Sequence, residues 1–194
     1  MVILIHGRAA EAKTIFSIEG LLDPSYHVLA ITAPYESALG GREWFHPPEP
    51  LPGEVHDAKQ FEESERMLTA DIEAHIARLN ADRSRVFLWG FSQGAAMALI
   101  LGLRGQIKPQ GVIPMCGFLP TGVKHWKSWD TSPRFLFVHA TEDEVLPTES
   151  SQKAKAFVES KGASAEYHEY KGRHKMTMDS IKFVNDWIKT IASA

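Results

Sequence analysis

The chain has 194 residues, of which 44% are hydrophobic and 23% are charged, and its formal net charge is -3. These proportions are typical of a globular domain and exclude a disordered, collagen-like or coiled-coil chain. Because 21 basic residues face 24 acidic ones without forming a basic run, the charge gives no reason to expect a nucleic-acid partner or an anionic membrane surface.

Cysteine content and hydropathy indicate the compartment. Cys116 is the single cysteine, so it has no partner for an internal disulfide. The N-terminal apolar run Val2–Ile5 is too short for a signal peptide, and no apolar stretch approaches the roughly 18 residues of a membrane span. We therefore expect a cytoplasmic protein without membrane insertion, and the absence of repeats or linkers predicts one domain over residues 1–194.

Short apolar runs alternate with longer stretches of helical periodicity, which predicts an α/β fold with a mainly parallel sheet. The runs are rich in Val, Ile, Phe and Leu, as expected for strands covered by helices on both faces. Six strands are predicted, at Val2–Ile5, Val28–Ile31, Val86–Trp89, Gly111–Ile113, Phe135–Val138 and Ala165–Tyr170.

Helical spacing of apolar residues predicts four amphipathic helices. They lie around Phe61–Leu79, Ala95–Leu103, Ala154–Val158 and Ile181–Ile191. The segment from Tyr35 to Gly53 contains so many prolines and glycines that no regular element is expected there. Its Trp44 and Phe45 have two interpretations, an exposed apolar lip or a hydrophobic plug beneath the loop.

The strongest chemical motif is Gly90-Phe91-Ser92-Gln93-Gly94, which lies between a predicted strand and a predicted helix. A nucleophilic serine must project from a sharp strand-to-helix turn, and the flanking glycines leave space where a Cβ would collide with backbone. The helix N-terminus also directs N–H groups and positive dipole toward the place where an oxyanion would form. The motif therefore predicts Ser92 as a nucleophile.

A serine hydroxyl needs a base to accept its proton, and the base needs an acid to orient it. Asp143 and His174 each follow a predicted strand, so both fall at the carboxyl edge where ligands bind in open α/β sheets. Glu142 and Glu144 flank Asp143 and compete for the role of the acid. Three other histidines, His6, His139 and His168, lie in or beside predicted strands, and we expect them to make local hydrogen bonds. His75 lies on a predicted helix and is interpreted as structural or solvated.

The remaining parts of the predicted site are backbone groups. The N–H groups of Arg8, which follows His-Gly after the first strand, and of Gln93 would form the oxyanion hole. Cys116 follows a short strand and is interpreted as a buried packing residue. We expect no metal and no cofactor, because HExxH, paired cysteines and phosphate-binding glycine motifs are absent and His168 and His174 stand six apart across a loop.

Several motifs together point to a known group of proteins. They are Leu4–Gly7, Trp44–Phe45, Gly90–Ala95, Gly117–Pro120, His139–Pro147 and Gly172–His174. In these motifs the chain resembles, over nearly its whole length, the α/β-hydrolase superfamily and within it the carboxylesterase and phospholipase-like branch that includes acyl-protein thioesterases. The resemblance implies a catalytic triad of Ser92, Asp143 and His174. It also implies a minimal α/β-hydrolase fold without a lid domain, since only Pro114 to Arg134 follow the fourth predicted strand.

The function expected from the sequence is hydrolysis of a carboxylic ester, or of a thioester or lysophospholipid, through an acyl-enzyme on Ser92. The partner is then a small-molecule ester or acyl substrate, and exposed apolar loop residues could also form a homodimer. The alternative is a non-catalytic small-molecule binding module that retains the fold. In the first hypothesis an acyl groove is lined by Trp44, Phe45, Phe118 and Leu119.

Overall fold

The computed structural model describes residues 1–46, 58–120 and 128–193, and its centre is a six-stranded parallel sheet. Its strands are β1 Val2–Ile5, β2 Val28–Ile31, β5 Phe87–Phe91, β6 Gly111–Met115, β7 Arg134–Ala140 and β8 Ala165–Tyr170. Their order in the sheet is β2-β1-β5-β6-β7-β8, and every neighbouring pair is parallel. The prediction of an α/β fold with six strands is confirmed.

Helices cover both faces of the sheet, which explains why its central strands are apolar throughout. They are α1 Ala12–Phe16, α2 Ala58–Leu79, α3 Gln93–Arg104, α4 Thr148–Ser160 and α5 Met178–Ala192. The buried side chains of α2, α3 and α4 pack into one core cluster, and those of α1 and α5 pack into a second cluster on the opposite face. No helix within the described ranges is long and apolar enough to cross a membrane.

The prediction that the segment from Tyr35 onward lacks regular structure is wrong for its first part. Strands β3 Tyr35–Glu36 and β4 Arg42–Glu43 form a small antiparallel pair. Gly40 and Gly41 adopt φ values of 85° and 66°, so these glycines permit the chain reversal that makes the pairing possible. The prolines of this segment beyond residue 46, like residues 121–127 of the connection after β6, lie outside the described residues.

Candidate active site

Ser92 occupies a sharp turn between β5 and α3. It is the one residue between the end of β5 at Phe91 and the start of α3 at Gln93, and its backbone has φ 55° and ψ -118°. A non-glycine residue with positive φ is strained and persists only where the surroundings impose it. Here the N–H of Ser92 donates to the Met115 carbonyl at 2.9 Å, which ties the turn to the end of β6.

Close backbone approach explains the two glycines of the serine motif. A Cβ at Gly90 would lie 2.1 Å from the carbonyl oxygen of Gly94, and a Cβ at Gly94 would lie 2.1 Å from the carbonyl oxygen of Ile5. Both distances are far below van der Waals contact with backbone atoms that cannot move aside. The close backbone contact that the sequence predicted at these glycines is therefore present, because α3 begins against the ends of β5 and β1.

The structure brings Ser92, His174 and Asp143 together in one hydrogen-bonded series. Ser92 Oγ lies 2.9 Å from His174 Nε2, and His174 Nδ1 lies 2.6 Å from Asp143 Oδ2. Asp143 follows β7 and His174 follows β8, so all three side chains stand at the carboxyl edge of the sheet. Since a carboxylate only accepts, Nδ1 carries the proton toward Asp143 and Nε2 accepts from the serine hydroxyl.

Backbone amides hold the carboxylate of Asp143 in place. Its Oδ1 accepts from the N–H groups of Val145 at 2.9 Å and Leu146 at 2.8 Å. Burial raises the pKa of Asp143, but hydrogen bonds from the His174 ring and the two amides outweigh burial and leave this pKa below its ordinary value. The carboxylate is therefore ionised at neutral pH.

The neighbouring carboxylates do not take this position. Glu144 accepts from the backbone N–H of His174 at 3.1 Å and pairs with Arg173 at 2.9 Å, and the side chain of Glu142 is exposed. Among the three acids that the sequence left in competition, Asp143 is the one whose carboxylate meets the imidazole.

His139 is a second imidazole in contact with the same carboxylate. It is fully buried, and its Nε2 lies 3.0 Å from the Leu146 carbonyl oxygen and 3.3 Å from Asp143 Oδ2. Its Nδ1 lies 2.6 Å from Ser151 Oγ. The sequence predicted local hydrogen bonds for His139, and these are present. The sequence did not predict its contact with Asp143, because the two residues are separated by a loop whose conformation cannot be deduced from residue spacing.

Tyr170, the last residue of β8, braces the loop that carries His174. Its hydroxyl donates to the Lys175 carbonyl at 2.7 Å and lies 3.3 Å from Cys116 Sγ. Phe91 packs against the imidazole of His174 with ring centroids 4.9 Å apart. The histidine is thus fixed from its loop side and from the strand that precedes the serine.

One group of possible metal ligands occurs within the described ranges. It consists of Cys116 Sγ, a carboxylate oxygen of Asp143 and a ring nitrogen of His174, which lie within 4.8 Å of one another. Burial raises the pKa of the Cys116 thiol to about 12, and a thiol binds metal as its thiolate. The other two groups already bond each other. The chemistry of this donor set therefore does not suit a metal, and Cys116 packs as a buried residue.

The two residues predicted to form the oxyanion hole both lie near the serine. Gln93 is the first residue of α3, so its N–H belongs to the unsatisfied first turn of a 12-residue helix. Arg8 follows Gly7, which lies so close to Ser92 that a Cβ at Gly7 would be 3.2 Å from Ser92 Cβ. Arg8 and Ser92 also line the same cleft.

The side chain of Gln93 turns away from the serine and binds the backbone of the segment after β4. Its Oε1 accepts from the N–H of Trp44 at 2.7 Å, and its Nε2 donates to the carbonyl of Phe45 at 2.7 Å. Trp44 Nε1 donates in turn to the His6 carbonyl at 2.8 Å, and Ser64 Oγ donates to the Trp44 carbonyl at 2.5 Å. This buried network joins α3, α2, the residue that follows β1 and the segment after β4.

Trp44 and Phe45 are 0% and 1% exposed, so the interpretation of an exposed apolar lip is wrong and the hydrophobic plug is what the structure has. The reason lies in the bonds from Gln93 and Ser64, which draw this backbone inward and turn both rings into the core. Phe118 and Leu119 are half-buried and pack against the same core cluster. None of these four residues lines the cleft beside Ser92.

We predict that replacing Gln93 with methionine lowers the free energy of unfolding by about 2–4 kcal/mol, because a buried N–H and a buried carbonyl lose their partner while the side-chain volume is kept. Urea unfolding measures the change. The matched control is Gln106→Met, since Gln106 is exposed, and we expect it to stay within about 0.5 kcal/mol of the wild type. Equal losses in the two variants would contradict the role assigned to Gln93.

A cleft of about 450 Å³ opens beside the serine on the side of α1 and α5. Its volume is in the range of small-molecule sites. Ser92 and His174 are among its lining residues. The apolar part of its wall consists mainly of Ile15, Ile18, Phe91, Met176 and Ile181. The sequence missed this cleft because α1 is too short to give a periodic signal.

Comparison with known proteins is consistent with this geometry. A family model described as Phospholipase/Carboxylesterase matches residues 1–192. The carboxylesterase SOBER1 of Arabidopsis thaliana is 28% identical over 155 residues, which cover 76% of this chain and 67% of that protein. The acyl-protein thioesterase 1 of Yarrowia lipolytica is 27% identical over 113 residues, which cover 55% of this chain and 49% of that protein, about half its length.

Solved structures share the whole fold. The crystal structure of esterase PE8 superposes with a TM-score of 0.84 at 23% identity and covers 98% of this chain and 91% of that one. The crystal structure of Arabidopsis thaliana SOBER1 gives a TM-score of 0.81 at 23% identity and covers 98% of this chain and 97% of that one. Identities at this level establish the architecture and carry no information on substrates.

Proposed function

The chain belongs to the phospholipase/carboxylesterase family and is therefore a hydrolase of carboxylic esters, and we propose that it works through an acyl-enzyme on Ser92. The observation that carries this proposal is the series Ser92 Oγ, His174 and Asp143, with distances of 2.9 Å and 2.6 Å, on a turn with positive φ. A half-buried serine-histidine-aspartate series of this kind suits proton transfer from a hydroxyl to an imidazole.

In the first half-reaction His174 Nε2 accepts the proton of Ser92 as Oγ bonds to the ester carbonyl carbon. The imidazolium that forms keeps its Nδ1–H bond to the ionised Asp143. The tetrahedral intermediate then collapses, the bond to the leaving group breaks, and Nε2 returns its proton to the leaving-group atom. In the second half-reaction water repeats these steps on the acyl-enzyme and releases the carboxylic acid with Ser92 restored.

Backbone N–H groups of Gln93 and Arg8 would stabilise the negative oxygen of the two intermediates. Support for this assignment comes from the helix start at Gln93 and from the contact of the adjacent Gly7 with Ser92. Each such donor contributes roughly 2.7–4 kcal/mol to the transition state in related chemistry. Because the Gln93 side chain is held by Trp44 and Phe45, the first turn of α3 is fixed before substrate binds.

The chemistry of the site allows both alcohols and thiols as leaving groups. Nothing in the proton transfers described above distinguishes an ester oxygen from a thioester sulfur. The relatives carry both names, carboxylesterase for the Arabidopsis protein and acyl-protein thioesterase for the Yarrowia protein. We propose small carboxylic esters and thioesters as substrates.

A fluorophosphonate probe tests the proposal, because it reacts covalently with a serine whose hydroxyl is deprotonated by a neighbouring base. We expect stoichiometric loss of 4-nitrophenyl butyrate hydrolysis and, after digestion, an adduct confined to the peptide that contains Ser92. Heat-unfolded protein serves as the control and should not react. An adduct on any other residue would contradict the proposed nucleophile.

A further inference from the structure

The cleft beside Ser92 carries positive charge. Arg8 and Lys175 both line it, and none of its lining residues is an Asp or a Glu. Within the described ranges neither cation forms an ion pair. Glu11, three residues after Arg8, binds Lys13 at 2.9 Å, and Glu144, which accepts from the backbone N–H of His174, binds Arg173 at 2.9 Å. Asp179, four residues after Lys175, does not line the cleft. Arg8 and Lys175 therefore line the cleft with no acidic residue among its other lining residues.

The chemistry of the proposed function places the leaving group in this cleft. His174 Nε2 must return its proton to the leaving-group atom, so that atom lies next to the imidazole. Lys175 and Met176 directly follow His174 and line the same cleft, with Ile181 beyond them on α5. A leaving group that extends away from Nε2 along this cleft consequently passes an apolar surface and Lys175.

We propose that the leaving group of the preferred substrate is an alcohol or thiol with an anionic group, a carboxylate or a phosphate, bound by Lys175 and Arg8. Its apolar part packs against Ile15, Met176 and Ile181, which are buried or half-buried. This inference rests on the proposed function, because it uses the position of His174 in the reaction. It adds a substrate class that family membership does not specify.

Two butyryl thioesters with leaving groups of equal length test the proposal. One leaving thiol is 3-mercaptopropionate, which is anionic, and the other is 3-mercaptopropionamide, which is neutral. We expect kcat/KM to favour the anionic thioester by about two- to fivefold for each cation at low salt, in the range of exposed ion pairs. The preference should disappear near 1 M salt, where the screening length falls to about 3 Å. A thioester of 2-mercaptoethyl phosphate distinguishes phosphate from carboxylate.

Variants of the lysine assign the effect to its position. Lys175→Gln should reduce the preference by about two- to fivefold, and Lys175→Arg should keep it. Lys171→Gln is the matched control, because Lys171 is an exposed lysine on the same loop that does not line the cleft. It removes the same charge from the protein and should leave the preference unchanged.

Each outcome has a separate meaning. If Ser92-dependent hydrolysis of the two thioesters is equally fast, or if Lys171→Gln and Lys175→Gln have the same effect, the anionic leaving group is refuted and the proposed function stands. If succinyl esters are preferred over butyryl esters while the two thiols are equal, the anion belongs to the acyl part and the assignment of the cleft is wrong. If hydrolysis persists in Ser92→Ala, the proposed function itself fails.

Discussion

Replacing Ser92 with alanine is expected to lower kcat for 4-nitrophenyl butyrate by at least about 10⁴-fold, because no other hydroxyl stands at His174 Nε2 to accept the acyl group. The effect should appear in kcat, since the binding surface is retained. Steady-state absorbance of released nitrophenolate, followed over hours and corrected for spontaneous hydrolysis, measures the residual rate. Because alanine has a Cβ atom like serine, it changes the backbone strain at φ 55° very little, and we expect the turn to keep its conformation.

Thermal unfolding provides the control for this variant. The melting temperature of Ser92→Ala should stay close to that of the wild type. The Ser92 side chain makes one hydrogen bond, to His174, and water can replace it. Ser150→Ala is a matched variant on α4 and should leave both activity and stability nearly unchanged. A fall of less than tenfold in Ser92→Ala would exclude this residue as the nucleophile.

Replacing Asp143 with asparagine is expected to lower kcat by about 10³- to 10⁴-fold with little change of fold. The amides of Val145 and Leu146 require an oxygen at the Oδ1 position, so the new NH₂ group must take the place of Oδ2. It would then donate to His174 Nδ1. The imidazole would carry its proton on Nε2, where it can no longer accept from Ser92.

The neighbouring acid supplies the comparison for this variant. Glu142→Gln changes an exposed carboxylate one residue away, and we expect its kcat to stay within about twofold of the wild type. Ring-nitrogen chemical shifts of His174 measured by NMR would report the change of tautomer in Asp143→Asn. A variant with wild-type kcat would remove Asp143 from the reaction and return the role of the acid to its neighbours.

The sequence was sufficient for the sheet because both faces of each central strand are buried. All four residues of β1 and four of the five in β5 are buried, and such runs stand out against polar loops. The glycines around Ser92 were equally informative, because their positions follow from steric contact between backbone atoms. The convergence of Ser92, Asp143 and His174 was predictable for a simple reason: parallel strands all end at one edge.

Other parts depend on contacts between distant segments and have no local signature. Helix α1 has five residues, too few to be stable or periodic alone, and its Ile15 is buried only because α1 packs on the sheet. The roles of Trp44 and Phe45 were decided by the side chain of Gln93, which lies nearly fifty residues away. His139 likewise reaches Asp143 through a loop whose path periodicity cannot predict.

The most direct measurement is to capture the acyl group on the protein during turnover of its substrate. Wild-type protein is mixed with 4-nitrophenyl butyrate, quenched in acid within milliseconds and digested for mass spectrometry. We expect a butyryl group on the Ser92 peptide that forms at least as fast as steady-state turnover and decays when substrate is exhausted. Turnover without this species, or butyrylation of a different side chain at the catalytic rate, would contradict acyl transfer through Ser92.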